Sequence, residues 1–205
     1  MTAADFFAQH LAVLPVVAIF RGKSPAETAR LCEAAWQAGV DLVEVPVQNE
    51  AAWEAFDAAV ALGAANGKPV GAGTVLTVEQ LEQVQARGGR FAVAPGFHAD
   101  VATRANELGL PLLPGVATAS EVAAALRLGY TALKAFPARE LGLTWAKAIK
   151  GPFPQVSLVA TGGVSAANAA DFLRGGYDAV AVGSAFESPS AVAALTAAVA
   201  AWRSA

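Results

Sequence analysis

Short apolar runs recur along the chain, and their starts are roughly 20 to 30 residues apart. Each run shows little alternation of polar and apolar positions and is flanked by glycine or proline. Strands of a parallel sheet that is covered by helices on both faces have this pattern. We predict eight such strands, which span residues 16–20, 41–47, 68–74, 90–95, 110–114, 131–136, 155–161 and 178–184.

Helical stretches between these runs carry recognisable start and stop signals. Ser24, Pro25 and Glu27 have the spacing of a capping box with proline at the first helical position. The same spacing recurs at Thr77–Gln80 and at Thr118–Glu121. Glycine in the left-handed conformation often ends a helix. We predict such ends at Gly39, Gly88, Gly109, Gly129 and Gly175.

Eight strands, each followed by a helix, predict an α/β fold with a (β/α)8 TIM barrel. The chain has 205 residues, which is short for this fold, so the loops must be brief. An open, doubly wound sheet is the alternative, although that fold usually has fewer strands. No shift in composition marks a linker, and we therefore predict a single domain over residues 1–205.

Composition narrows the class of protein. Hydrophobic residues make up 55% of the chain and charged residues 15%, which excludes a disordered protein. The apolar excess hints at a buried subunit interface, although alanine supplies much of it. A net charge of −3 without a basic run argues against a nucleic-acid partner, and the apolar run at 11–20 is too short to span a membrane. The single cysteine, Cys32, favours a reducing, cytoplasmic location.

One predicted strand carries a lysine at an apolar position. Lys134 lies in the middle of TALKAF (131–136), where burial disfavours the charged form of its amine. Only a neutral amine is a nucleophile. Glu44 is similarly embedded in the apolar run LVEVPV (42–47), and a Schiff-base reaction needs both an attacking amine and a proton-transferring carboxyl group. The alternative is a structural ion pair, which would stabilise the barrel less than apolar packing.

The sequence offers little for metal chemistry. It contains two histidines, His10 and His98, and no His/Asp/Glu cluster has the spacing of metal ligands. Cys32 lies on a predicted helix without an activating neighbour, and we interpret it as a core residue. We therefore expect neither a metal nor another cofactor.

Active sites of TIM barrels lie at the C-terminal ends of the strands, and phosphate commonly binds after the last two. Gly162 and Gly163 end the seventh run and leave backbone N–H groups uncovered, while Ser165 can cap the following helix. Gly183 and Ser184 end the eighth run and would supply the second side of such a phosphate site. The glycines could equally serve tight turns alone, so the residues by themselves leave both interpretations open.

The third run ends in GAGTVL (71–76), which begins like the dinucleotide fingerprint GxGxxG. Leu76 occupies the position of the third glycine, and the motif follows the third strand rather than the first. We therefore interpret it as a tight strand exit that presents the Thr74 hydroxyl.

Taken together, the strand-end motifs resemble those of the class I 2-keto-3-deoxy-6-phosphogluconate (KDPG) aldolases. That family includes the 6-phosphogalactonate (KDPGal) enzymes and the 4-hydroxy-2-oxoglutarate (KHG) aldolases. The motifs run in family order over nearly the whole chain. They are VVAIFRG (16–22), LVEVPV (42–47), VGAGTVL (70–76), VAPGF (93–97), LPGVAT (113–118), LKAFPA (133–138), GPFPQVSLVATGGV (151–164) and AVGSAF (181–186).

The resemblance implies a homotrimeric barrel without a metal. Lys134 would form the Schiff base, and Glu44 would be the acid/base residue. The residues implied to line the pyruvate pocket are Thr74, Pro95 and Phe136. Those implied to bind phosphate are Thr161, Gly162, Gly163, Gly183 and Ser184.

The chain departs from the gluconate-type pattern at one carboxylate-binding position. Many of those enzymes have an arginine where this chain has Gln48. The galactonate-type enzymes also lack that arginine and resemble this chain in having one after the first strand, which is Arg21 here. The planar fork of Arg21 would suit a carboxylate. Thr161, in contrast, resembles the gluconate-type enzymes, so the resemblance leaves both C4 epimers open.

The implied reaction is reversible cleavage of a 2-keto-3-deoxy-6-phospho sugar acid to pyruvate and glyceraldehyde 3-phosphate. Cleavage of KHG to pyruvate and glyoxylate is an alternative. A metal-free phosphate-binding barrel enzyme of another class would use Gly162 and Gly163 without needing Lys134 as a nucleophile. A non-catalytic phosphosugar-binding protein would bind the ligand without turnover.

Overall fold

The computed structural model describes residues 1–204, and its strands form one parallel sheet. Every predicted run contains a strand, and the fifth continues beyond its predicted end into a second short strand. The strands are β1 (Val16–Ile19), β2 (Leu42–Pro46), β3 (Val70–Gly73), β4 (Phe91–Val93), β5 (Leu112–Leu113), β6 (Gly115–Val116), β7 (Ala132–Ala135), β8 (Ser157–Thr161) and β9 (Ala179–Val182).

Helices alternate with the strands, as the sequence predicts, and one further helix, α1, precedes β1 without having been predicted. No helix within residues 1–204 is long and apolar enough to cross a membrane. The α-helices are α1 (Ala3–Leu11), α2 (Pro25–Gln37), α3 (Glu50–Asn66), α4 (Val78–Ala86), α5 (Ala99–Leu108), α6 (Ala119–Arg127), α7 (Ala138–Leu141), α8 (Trp145–Lys150), α9 (Ala169–Arg174) and α10 (Pro189–Arg203), and a 3-10 helix spans Ser184–Glu187.

The sheet curls into a nearly closed barrel, which confirms the predicted fold. The strand order is β5-β4-β3-β2-β1-β9-β8-β7-β6, so the two ends of the order are consecutive in the chain. Only Pro114 separates β5 from β6, and its carbonyl accepts a hydrogen bond from the Lys134 amide at 2.9 Å. Because proline has no N–H to donate, the strand breaks here. Its first half pairs with β4 and its second half with β7, which joins the two edges.

The N-terminal helix α1 covers the N-terminal end of the barrel. Phe6 and Phe7 are buried and pack against Phe91 of β4, at ring-centroid distances of 5.7 and 5.8 Å. Behind them the interior is filled by inward-facing apolar side chains from most strands. These are Val17, Leu42, Val93, Leu113, Ala132, Val159, Ala179 and Ala181. Helix α1 therefore completes the barrel core at its N-terminal end.

The helix starts follow the sequence signals, with differences in detail. The Thr118 and Glu121 pair forms a complete capping box. The Ser24 hydroxyl accepts from the Glu27 amide, but the Glu27 carboxylate pairs with Lys23 instead of returning to the cap. At the third predicted box, the Thr77 hydroxyl accepts from the Gln80 amide, whereas the Gln80 side chain accepts from the Leu76 amide.

The predicted helix-ending glycines take the left-handed conformation at Gly39, Gly88, Gly109 and Gly129. Helix α9 ends at Gly175 as predicted, but the predicted left-handed conformation was wrong there, because the φ of Gly175 is −68° and the left-handed residue is Gly176, at +103°. A Cβ at Gly175 would lie 2.2 Å from the Leu143 carbonyl oxygen. Glycine is needed at position 175 for close backbone approach rather than for its torsion angle.

Candidate active site

Glu44 and Lys134 face each other inside the C-terminal half of the barrel. Because side chains alternate along a strand, Glu44 lies on the same inner face as Leu42, and Lys134 on the same face as Ala132. Counting β5 and β6 as the two halves of one strand, three strands lie between β2 and β7 in either direction around the ring, so the two strands are opposite. The Lys134 Nζ atom lies 3.8 Å from Glu44 Oε1.

Both side chains are almost fully buried, with 4% of the Lys134 side chain and 2% of the Glu44 side chain exposed. Their separation exceeds the length of a direct hydrogen bond, so the groups are near neighbours without being locked together. The Phe136 ring lies beside the amine, at 5.3 Å from Nζ to its centroid. A buried amine and carboxyl group this close can exchange a proton through a water molecule or a hydroxyl group of a reactant that contacts both of them.

Glycine residues on β3 create the space that Glu44 occupies. A Cβ on Gly73 would lie 1.9 Å from Glu44 Oε1, so the carboxyl group rests directly over this glycine. A Cβ on Gly71 would overlap the ring of Phe91, at 2.4 Å. The two glycines of the GAG motif therefore have different roles. Gly73 leaves room for the Glu44 carboxyl group, and Gly71 leaves room for the Phe91 ring.

Thr74 has a left-handed backbone, with φ at +61°. This conformation is strained for a β-branched residue, and such strain clusters at functional sites. The next residue is held in place, because the Val75 amide donates to the Val93 carbonyl at 3.1 Å. Thr74 is half-buried at the exit of β3, which agrees with the tight exit predicted for this motif.

The other residues of the predicted pyruvate pocket lie at the same end of the barrel. Pro95 and Phe136 are half-buried just after β4 and β7. Gly115 approaches the Pro95 carbonyl so closely that a Cβ there would lie 2.2 Å from its oxygen. Arg21 and Gln48 follow the neighbouring strands β1 and β2 and are exposed, and neither makes an ion pair within residues 1–204.

The predicted phosphate residues form the exits of β8 and β9. Gly162 and Gly163 both have positive φ, at +94° and +75°. Gly183 precedes the 3-10 helix, which begins at the exposed Ser184. Thr161 differs from the group, because it is buried in the barrel and its hydroxyl donates to the Val159 carbonyl at 3.4 Å.

Ser165 does not cap the helix after β8, which corrects the prediction from the sequence. Helix α9 begins only at Ala169, and its N-cap residue is Asn168. The Asn168 amide group instead braces the turn, since its oxygen accepts from the Ser165 amide at 2.8 Å and its nitrogen donates to the Gly163 carbonyl at 3.0 Å. The glycine turn is thus held by a side-chain clamp rather than by a helix start.

The remaining candidates for chemistry lie away from this cluster. His10 is near the opposite end of the barrel, where its Nδ1 lies 3.0 Å from Asp41 Oδ2. Cys32 is buried in the core, and burial raises the pKa of its thiol to about 12. His98 is exposed at the start of α5. Within residues 1–204, no group of three or more His, Cys, Asp or Glu side chains is placed to hold a metal ion.

Comparisons with known proteins place the chain in a family. Residues 7–199 match the family model described as KDPG and KHG aldolase. The chain is 37% identical over 172 residues to the 2-dehydro-3-deoxy-6-phosphogalactonate aldolase of Escherichia coli K12, covering 83% of each protein. It is 38% identical over 163 residues to the KHG/KDPG aldolase of the same strain, covering 78% of this chain and 74% of that protein.

A solved structure agrees with these sequence matches. The KDPG aldolase from Legionella pneumophila, crystallised with pyruvate captured as a covalent carbinolamine intermediate, superposes with a TM-score of 0.82 at 29% identity. The match covers 98% of each chain. The chain described here therefore belongs to the KDPG and KHG aldolase family, whose members are carbon–carbon lyases.

Proposed function

We propose that the protein is a class I aldolase that reversibly cleaves a 2-keto-3-deoxy-6-phospho sugar acid to pyruvate and glyceraldehyde 3-phosphate. The observation that carries this proposal is the buried pair of Lys134 and Glu44, with 3.8 Å between Nζ and Oε1. A structural pair would gain from a direct hydrogen bond, which this distance does not provide. The carbinolamine in the Legionella enzyme lends support from a relative.

In the proposed mechanism, the neutral amine of Lys134 attacks the C2 ketone, and loss of water from the carbinolamine gives an iminium ion. Glu44, through an intervening water, takes the proton of the C4 hydroxyl as the C3–C4 bond breaks. The electron pair of that bond moves into the iminium and forms the enamine of pyruvate. Glyceraldehyde 3-phosphate leaves, C3 of the enamine is protonated, and hydrolysis frees pyruvate and Lys134. The iminium is the electron sink, so the proposed reaction uses no metal or other cofactor.

The two ends of the substrate would be held by different strand exits. Arg21 would contact the carboxylate next to the reacting ketone, because it is exposed and unpaired within the described residues and its guanidinium suits two oxygens. The glycine turns after β8 and β9 would bind the phosphate. Binding energy from the phosphate end would hold the reacting carbons against Lys134 and Glu44.

The direct test is borohydride trapping with pyruvate, followed by peptide mass analysis. We expect a reduced pyruvate adduct on Lys134 and none in Lys134→Arg. In Arg21→Ala, the pyruvate concentration needed for half-maximal trapping should rise about tenfold, because a charge-assisted contact is lost. Wild-type protein that gives no adduct at Lys134 would show that the mechanism is wrong.

The choice of substrate within the family is a separate question. The gluconate and galactonate acids differ only at C4, where one hydroxyl contact can change selectivity. The relatives named for galactonate and for KHG/KDPG are almost equally similar to this chain, at 37% and 38% identity. Parallel measurements of kcat/KM on both phosphorylated epimers and on KHG would rank the three substrates.

A further inference from the structure

The glycine turn after β8 supplies only neutral groups for a doubly charged phosphate. Gly162 and Gly163 offer backbone N–H groups, but α9 has six residues and begins at Ala169. A helix start therefore adds little at this turn. A phosphate dianion is bound more tightly where a guanidinium completes such a site.

Arg139 lies against this turn, although the sequence motifs did not point to it. It is the second residue of α7, which leaves the barrel directly after the lysine strand β7. Its backbone N–H donates to the Gly162 carbonyl at 3.0 Å. The exits of β7 and β8 are joined at this point.

The side chain of Arg139 crosses the second glycine of the turn. A Cβ built on Gly163 would lie 2.5 Å from Arg139 Cβ, 3.2 Å from Cγ and 2.9 Å from Cδ. The aliphatic stem therefore occupies the space that a side chain at 163 would fill. Since Nε is bonded to Cδ, the guanidinium begins beside the backbone of Gly163. Glycine at position 163 is therefore needed both for the positive φ of the turn and for the packing of the Arg139 side chain.

The Arg139 guanidinium has no counter-ion among the described residues. Its side chain is exposed and makes no ion pair or hydrogen bond with another side chain within residues 1–204. Lys23 contrasts with it, since its amine lies 3.1 Å from Glu27 and 2.8 Å from Glu187, next to the Ser184 turn. Two carboxylates thus neutralise the lysine on that side, whereas nothing described neutralises the arginine.

We propose that Arg139 binds the phosphate of the substrate and sets the preference for phosphorylated over unphosphorylated keto acids. This inference rests on the proposed aldolase function, because that function supplies a phosphorylated substrate at the exit of β8. Arg139 would be a binding residue and would take no part in bond making at C2 or C3.

The test compares Arg139→Gln with Arg127→Gln as a matched control. Arg127 is also exposed and without an ion pair among the described residues. It ends α6 shortly before β7 begins, and it therefore lies at the N-terminal end of the barrel, away from the strand exits. We expect Arg139→Gln to lower kcat/KM for the phosphorylated sugar acid about ten- to a hundredfold, mainly through KM. Trapping with pyruvate, which carries no phosphate, should be unchanged, and Arg139→Lys should restore part of the loss. The control should match wild type.

Binding of inorganic phosphate, measured by calorimetry, tests the site without any aldol chemistry, and it should weaken in Arg139→Gln only. An active wild type with an unimpaired Arg139→Gln variant would overturn this inference and leave the proposed function standing. Equal losses in phosphate-dependent turnover and in pyruvate trapping would also overturn it. If wild type failed to trap pyruvate but bound phosphate through Arg139, the proposed function would fail while the phosphate site stood.

Discussion

At the scale of single residues, the site depends on the absence of a side chain at Gly73 as much as on Glu44 itself. The carboxyl group rests over Gly73, where a Cβ would lie 1.9 Å from Oε1, 2.7 Å from Cδ and 2.8 Å from Cγ. The clash reaches well into the side chain, so Glu44 could not escape it by a small rotation of its terminal oxygens. The identity of residue 73 therefore fixes the position of the proposed acid/base group.

We predict that Gly73→Ala lowers kcat about a hundredfold, because a shift of about 1 Å in a catalytic group has effects of that size. Glu44→Gln should lower kcat at least as much, since it removes the proton-transferring group. Both variants should still form the trapped pyruvate adduct on Lys134, because neither removes the amine.

Gly96→Ala is the control for this pair of variants. An added methyl group there meets nothing nearer than His98 Nε2, at 3.7 Å, which is ordinary contact. We expect it to keep the turnover of wild type. Steady-state kinetics and trapping on the same preparations provide the comparison, and a Gly73→Ala enzyme with normal kcat would contradict the role given to this glycine.

At the scale of elements, α1 completes the core at the N-terminal end of the barrel. It contacts the barrel through polar groups as well as through Phe6 and Phe7. Asp41 lies just before β2 and accepts from Lys68 Nζ at 2.5 Å, while its second oxygen lies 3.0 Å from His10 Nδ1 of α1. Burial tends to raise the pKa of the Asp41 carboxyl. The hydrogen bonds and charges of Lys68 and His10 outweigh that effect and hold its pKa below the ordinary value of 3.8.

We predict that Asp41→Asn lowers the free energy of unfolding at neutral pH by about 1 kcal/mol or less, because the group is partly exposed. A carboxyl group with a depressed pKa stabilises the fold above its unfolded pKa, and this contribution is lost as pH falls through the folded pKa. The difference between wild type and variant should therefore stay constant at mildly acidic pH and shrink below pH 3.8.

Urea unfolding at a series of pH values measures this difference. Glu54→Gln is the control, since Glu54 is exposed on α3 and makes no ion pair or side-chain hydrogen bond within the described residues. A difference for Asp41→Asn that did not change with acid would contradict the predicted role of its carboxylate.

At the scale of the whole molecule, the apolar composition is largely explained by the barrel interior and by the layer between strands and helices. Within residues 1–204, the exposed large hydrophobic side chains are Met1, Val13, Leu76 and Leu143. The composition alone therefore gives little support for a large apolar subunit interface. The expected homotrimer rests on the family resemblance.

We predict a homotrimer in solution, with a mass three times the 20.7 kDa of the chain. Sedimentation equilibrium at several micromolar loading concentrations measures this mass directly. Because closed rings of identical subunits saturate their contacts, the mass should not rise further with concentration. A sample that sediments as a monomer throughout would contradict the prediction.

Much of the fold could be predicted from the sequence because its signals are local. The eight strand regions and most helix ends follow from apolar runs, caps and glycines within a few residues of each other. The continuation of the fifth strand beyond Pro114 and the missing left-handed turn at Gly175 could not be predicted. Each depends on another chain segment, the strands on either side for Pro114 and the Leu143 carbonyl for Gly175.

The sequence by itself determined that this chain is an alternating α/β protein with a lysine and a glutamate in apolar strands, because patterning and side-chain chemistry are properties of single segments. Only the tertiary structure decided that these two groups face each other at 3.8 Å across opposite strands. It also decided that Gly73 makes room for Glu44 and that Arg139 lies over Gly163. These relations join residues from different strands, and barrel closure fixes the distances between them.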